Sequence, residues 1–228
     1  MNLLWWCAPM GTSTRCAVIV EPRKHRDLVY VLRNVSHFLG PEWSVVWFHG
    51  TDNAAWAREI QSTLPNLHLI ALSCADLSPL EKYSELLTTE GFWNQIPHPI
   101  EHILIFQTDA LLCRRGADAF LGYDYIGAEW YFGGFGNGGL SLRSKTTMLR
   151  ILALHRRPVG QAEDLWYMQM LHADEMARLP DMETVRHFSV ESVYYPFAGS
   201  PLGMHKPYWY LKPDDLMVLL SKIQYPAA

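Results

Sequence analysis

Along this chain, short unbroken apolar runs alternate with stretches in which apolar residues recur every three or four positions. The first run covers residues 16–20; Leu28, Val31, Leu32, Val35 and Leu39 then repeat at helical spacing until Gly40-Pro41. An unbroken apolar run reads as a strand covered on both faces, and the spaced repeat as an amphipathic helix. The alternation continues with a strand over 43–48, a helix over 53–64 closed by Pro65, and a strand over 67–72. Ser78-Pro79-Leu80-Glu81 reads as a capping box with proline at the first helical position, opening a helix that reaches about Trp93. A fourth strand covers 102–106. Four strands alternating with helices predict a mainly parallel sheet covered on both sides, in a single α/β domain.

Beyond Asp109 the pattern changes. A strand over 123–127 precedes a glycine-rich loop over 133–139, a short strand over 140–143 and a helix over 145–155. Glu163-Asp164 opens another helix, and 185–195 is strand-like, near a sheet edge. Gly134, Gly136 and Gly139 spell a literal GxGxxG, with Glu163 at the distance of a ribose-binding acid. That fingerprint belongs to the first strand-to-helix turn, whereas here it lies past mid-chain with Leu-Ser-Leu-Arg before the helix. A nicotinamide- or flavin-binding Rossmann domain is therefore disfavoured.

Composition narrows the function classes. Hydrophobic residues make up 49% and charged residues 18%, which excludes wholesale disorder. A net charge of -4 gives no basic surplus for nucleic acid. Cys7, Cys16, Cys74 and Cys113 are scattered without zinc spacing and read as reduced small hydrophobes, which points to a cytoplasmic location. Residues 1–15 form an N-terminal arm; its Leu3-Leu4-Trp5-Trp6 is too short to span a membrane, and peripheral membrane contact stays open.

The candidate chemistry gathers at strand ends and loops. Gln107-Thr108-Asp109 follows the fourth strand directly, where ligands of open α/β sheets bind. Glu163-Asp164 stabilises a helix dipole in one reading and supplies a general base in the other. His205-Lys206, in a glycine/proline loop, could offer a metal ligand and a phosphate partner. Trp130, Tyr131, Phe132 and Trp166 are candidates for an acceptor platform, or for the core.

The order of these parts resembles that of GT-A-fold nucleotide-sugar glycosyltransferases. It looks more closely like a poorly characterised glycosyltransferase-like family with the pattern QTD…YDYIGA…GNGGLSLRS…ED…PLGxHKP, matched by Gln107 to Asp109, Tyr123 to Ala128, Gly136 to Ser144, Glu163-Asp164 and Pro201 to Pro207. A Glu21-Pro22-Arg23 segment after the first strand adds a more distant likeness to the β-1,4-galactosyltransferases.

The resemblance implies a Rossmann-like α/β/α sandwich, with a nucleotide-binding half over 16–109 and an acceptor half over 110–228. It implies transfer of a sugar from a nucleoside-diphosphate donor, a UDP-sugar first among them, to a hydroxyl of a glycan or other acceptor. Glu21, Pro22, Arg23, Gln107, Thr108, Asp109 and Lys206 would bind nucleotide; Gly138, Gly139 and Glu163 would face the donor sugar. Asp164, beside Glu163, would be the catalytic base of an inverting reaction. Asp109 and His205 would hold Mn²⁺ or Mg²⁺, with Gln107 standing where the family has an acid. Two alternatives remain: a non-catalytic nucleotide-sugar or carbohydrate-binding module, and a sugar nucleotidyltransferase.

Overall fold

The computed structural model describes residues 13–196 and 199–223. Residues 1–12 of the expected arm, with Leu3 to Trp6 and Cys7, lie outside them, and Arg15 already belongs to the first strand. The first half alternates as the apolar pattern predicts. Strand β1 (Arg15–Glu21) leads to helix α1 (Leu28–Leu39), β2 (Ser44–His49) to α2 (Ala54–Gln61), and β3 (Leu67–Ala71) to α3 (Leu80–Leu87) and α4 (Glu90–Gln95). Then come β4 (His102–Phe106), β5 (Ala110–Leu112), β6 (Tyr125–Glu129), β7 (Phe135–Ser144), α5 (Lys145–Leu154), α6 (Glu163–His172), α7 (Met182–Phe188), β8 (Ser189–Val190), β9 (Gly203–His205) and α8 (Pro213–Ser221).

A six-stranded sheet runs in the order β3-β2-β1-β4-β7-β6. Strands β1 to β4 are parallel, and β7 is antiparallel to both β4 and β6. This is an α/β fold with a mainly parallel central sheet in one domain. Strand β1 sits between β2 and β4. The strand order therefore reverses there, and the carboxyl ends of β1 and β4 open the crevice at which such sheets bind ligands. A second, small sheet runs β5-β9-β8 just past the end of β4.

Four expectations are corrected. The helix expected from Pro79 to Trp93 is two helices: Thr88 donates its hydroxyl to Ser84 O (2.7 Å), and Thr89 caps α4 by accepting from Phe92 N (3.3 Å). Side-chain hydroxyls here compete with the helical ladder. The capping box does not form either. Pro79 precedes the helix, Ser78 Oγ donates to Asp76 (3.1 Å), and Glu81 is drawn away to Arg157 (2.6 Å). The strand-like segment 185–195 is mostly helix α7, whose cap Asp181 accepts from Thr184 N (2.8 Å), followed by the two-residue β8. The glycine-rich loop is likewise mostly strand: only the turn at Gly133 and Gly134 (φ +94° and +75°) precedes β7.

Near the junction of sheet and α6 lies a fully buried guanidinium. Arg143 of β7 donates to both oxygens of Glu163 (2.7 and 2.9 Å) and to Ser141 Oγ (2.9 Å), and packs over the rings of Tyr125 and Tyr167. Removing one partner of such a pair leaves the other charge buried and uncompensated, at a cost of about 3–5 kcal/mol. Glu163→Ala should lower the unfolding free energy by about that amount in urea titration, and a loss below about 1 kcal/mol would refute the anchoring role.

Candidate functional site

The crevice at the switch point is built first by the loop after β1. Asn53, fully buried, donates through Nδ2 to Glu21 O (3.1 Å) and Arg23 O (2.9 Å) and accepts from Gly50 N (2.8 Å). These bonds satisfy backbone groups that the loop would otherwise bury unpaired. The Glu21 carboxylate is itself buried and receives Arg23 Nε (2.8 Å), Arg23 Nη2 (2.9 Å) and Arg23 N (2.9 Å). That pairing raises the Arg23 pKa. Glu21, Pro22 and Arg23 then line a cleft of about 410 Å³ together with Asp76, Tyr83 and Gln107 to Asp109.

Behind Gln107 and Asp109 of this lining stands His205, 1% exposed and not itself part of the lining. The pairing of β5 with β9 sets Ala110 opposite His205, and Lys206 N donates to Asp109 O (2.9 Å). Asp109 and His205, distant in sequence, thus become neighbours. His205 Nε2 lies 3.1 Å from Asp109 Oδ1 and 3.2 Å from Gln107 Oε1. Its Nδ1 lies 3.0 Å from Asn137 Oδ1 and 3.2 Å from Glu191 Oε1, and Lys206 Nζ lies 3.5 Å from the same Glu191 oxygen. Burial opposes the charged ring, but the close carboxylates of Asp109 and Glu191 outweigh it and raise the His205 pKa. In the same way burial favours neutral Asp109, and the contact with His205 outweighs it and lowers the pKa.

Asp109 Oδ1, although close to the ring, has no aligned hydrogen bond. Neighbouring ligand atoms about 2.1 Å from one small octahedral cation stand about 3 Å apart, which is the spacing of this pair. The donor set of one carboxylate and one imidazole therefore fits Mn²⁺ or Mg²⁺ only with further oxygen ligands from outside the chain. Consistently, among the described residues no three His, Cys, Asp or Glu side chains form a group that could hold an ion.

Asp164 opens α6 on the other flank of the glycines. Its Oδ2 accepts from Gly138 N (3.0 Å) and its Oδ1 from Leu165 N (2.8 Å). Glu163, expected to face the donor sugar, instead points into the core: it is 4% exposed and both oxygens are taken by Arg143. The glycines also owe their smallness to the protein. A Cβ at Gly138 would stand 2.6 Å from Glu163 Oε1, and one at Gly139 would stand 2.0 Å from His205 Cε1. Asp164 and His205 therefore flank one glycine dipeptide, whose Gly139 O also accepts from Gln107 N (3.0 Å). Asp164 is not among the residues lining the cleft.

Of the aromatic candidates, Trp166 is core, 1% exposed, whereas Tyr131 is 72% exposed and Phe132 stacks on Trp130 (5.4 Å). Tyr131 in turn stacks on Tyr210 (6.3 Å, 22°), which joins the exposed segment Tyr208, Trp209 and Tyr210 to this aromatic cluster. Sequence reasoning passed over those three, Asn53, Asn137 and Tyr83. The run Tyr-Trp-Tyr directly after His205-Lys206-Pro207 was the available signal for the first three. Asn137 lay inside the matched stretch Gly136 to Ser144 without being singled out, and no signal marked Asn53 or Tyr83 as part of a site.

Among described residues no helix is long and apolar enough to cross a membrane. No curated protein matches the chain. Two solved structures of the glycosyltransferase GlyE from Streptococcus pneumoniae TIGR4 share the fold. The apo form is 16% identical with a TM-score of 0.55, covering 89% of this chain and 55% of that one. The second is 14% identical with a TM-score of 0.53, covering 89% and 56%. The chain thus spans little more than half the length of those chains, and at such identity the likeness is one of fold. Residues 66–205 match a family described as "Protein of unknown function (DUF5672)". Because that match runs over more than half of its length, the chain belongs to that family.

Proposed function

We propose that the chain is a metal-dependent glycosyltransferase that moves a sugar from a nucleoside-diphosphate donor, first of all a UDP-sugar, to a hydroxyl of a glycan or other acceptor. The observation that carries this reading is the meeting of Asp109 with His205 beside the switch-point cleft, with Asp164 held on the adjoining glycine dipeptide. The glycosyltransferase-like fold supports it.

Within this reading Glu21, Pro22 and Arg23 would receive the nucleobase and ribose, and Gln107, Thr108 and Asp109 the diphosphate end. Asp109 and His205 would hold Mn²⁺ or Mg²⁺, which stabilises negative charge on a departing diphosphate. Lys206, a partly exposed ammonium next to His205, would contribute to the same charge. Asp164 would take the acceptor hydroxyl's proton on the face opposite the leaving group, giving inversion. Its two backbone hydrogen bonds orient the carboxylate and leave each oxygen a further lone pair. The acceptor would rest on the aromatic rim of Trp130, Tyr131 and Phe132, extended by Tyr208 to Tyr210. A nucleotidyltransferase is the weaker reading, because the loop Glu21-Pro22-Arg23-Lys24-His25 lacks the glycines that cradle a triphosphate.

Thermal unfolding with a panel of nucleoside diphosphates, with and without Mn²⁺, tests the donor site. A ligand at 100 times its Kd adds about 2.7 kcal/mol, so one base should raise Tm only with Mn²⁺, and Asp109→Ala should abolish the rise. A flat response to every diphosphate would overturn the donor-site assignment. Asp164→Asn should keep that thermal response while transfer falls by about 10²–10⁴-fold. Near-normal turnover of this variant, or retention of the donor's anomeric configuration in the product, would remove Asp164 from the role of base.

A further inference from the structure

We propose that Asn137, backed by Glu191, is a positioning residue that sets which ring nitrogen of His205 faces Asp109. The inference rests on the reading of Asp109 and His205 as a ligand pair. It begins from a main-chain donor. Gly139 N–H donates to the Asn137 side chain at 3.0 Å, and a backbone N–H can only donate, so the atom that receives it is the amide oxygen. That same oxygen lies 3.0 Å from His205 Nδ1. Two acceptors cannot bond without a proton between them, so Nδ1 carries the hydrogen. Glu191 Oε1, also buried, is a second acceptor 3.2 Å from Nδ1. With Nδ1 committed on that side, Nε2 is the nitrogen that faces Asp109 Oδ1 and Gln107 Oε1; in the metal-free ring these acceptors hold a second proton there, and a metal would displace that proton alone.

The backbone explains how Asn137 reaches the ring. The ladder between β6 and β7 slips around Ala128, which pairs with Asn137, and Gly136 before it holds φ +122°. A bulge of this kind re-aims one side chain while the flanking strand stays paired. Asn137 is not among the residues lining the cleft, and its contribution would pass through the imidazole. Histidine ligands generally donate their second N–H to such a partner, and loss of the partner weakens metal binding by about 10–100-fold.

The test uses ¹⁵N-histidine-labelled protein and long-range ¹H–¹⁵N spectra, which identify the protonated ring nitrogen without any metal. At a pH high enough for the ring to carry a single proton, wild type should hold that proton on Nδ1, and Asn137→Asp, which keeps acceptor oxygens, should preserve it. Asn137→Leu combined with Glu191→Gln should release the ring to a mixture of tautomers. Titration of Mn²⁺ alone, followed by the electron paramagnetic resonance of the free ion, should weaken about 10–100-fold in the double variant and not in Asn137→Asp. A bare Nδ1 in wild type would overturn the proposal whether or not any variant folds. So would an Asn137→Asp protein that loses the tautomer as the double variant does, or a folded double variant that keeps both tautomer and affinity. Failure of the wild type to bind Mn²⁺ would count against the metal reading alone, because the ring spectrum decides the role of Asn137 separately.

Discussion

The ion pair of Arg143 with Glu163 is the constraint on which the site's architecture rests. A guanidinium with no solvent access cannot give up its charge, so the strand that carries it must meet a carboxylate at fixed distance. Glu163 is the first residue of α6, and the pair therefore ties the start of that helix to strand β7 of the sheet. Asp164, next in sequence, inherits its place from this tie and closes it by accepting from Gly138 N. The absence of a side chain at Gly138 is what lets the carboxylate come so near. Strand β7 also pairs with β4, whose end carries Gln107 to Asp109. One antiparallel strand thus holds the proposed base and the proposed metal-binding acid in a common frame.

Much of this frame is legible in the sequence, because burial on both faces leaves unbroken apolar strands that no surface element imitates. The run 102–106, followed by Gln107 to Asp109, announces a strand pointing at a site, and the structure has β4 ending at Phe106 beside β1. What the sequence conceals is long-range chemistry. Glu81 reads as the end of a capping box because Arg157, distant in sequence, is invisible to local pattern. Gly138 and Gly139 read as room for a ligand, whereas the space is filled by Glu163 and His205. Trp166 and Tyr131 are equally aromatic in sequence, and only tertiary packing separates a core residue from a rim residue. Asn53 reads as the start of a helix and turns out to fasten the loop that shapes the cleft.

The cleft and the aromatic cluster are two surfaces of different chemistry. The cleft is polar, with Glu21, Arg23, Asp76 and Ser78, as suits a ligand recognised through hydrogen bonds and charge. The rim is made of flat rings, several with a phenolic or indole handle, as suits a ligand with both apolar faces and hydroxyls. The hairpin turn before β7 and the turn over Pro207–Trp209 after β9 reach this rim from the same strands that carry Asn137 and His205.

Strand β9 is three residues long, and a slip of one position would turn each of its side chains to the opposite face. Met204 or Lys206 would then stand where the imidazole stands now. So short a ladder has few hydrogen bonds with which to resist such a slip, and Gly203 supplies the missing definition. A Cβ there would lie 2.5 Å from Leu140 Cδ2 and 2.7 Å from Leu111 O, so only glycine can occupy that point of the ladder. Sliding the strand would drive a side chain into the same gap. The chemical identity of the residue facing Asp109 is therefore keyed by a glycine two positions away that lies outside the cleft lining, and a lineage that changed Gly203 would displace its imidazole without ever mutating it.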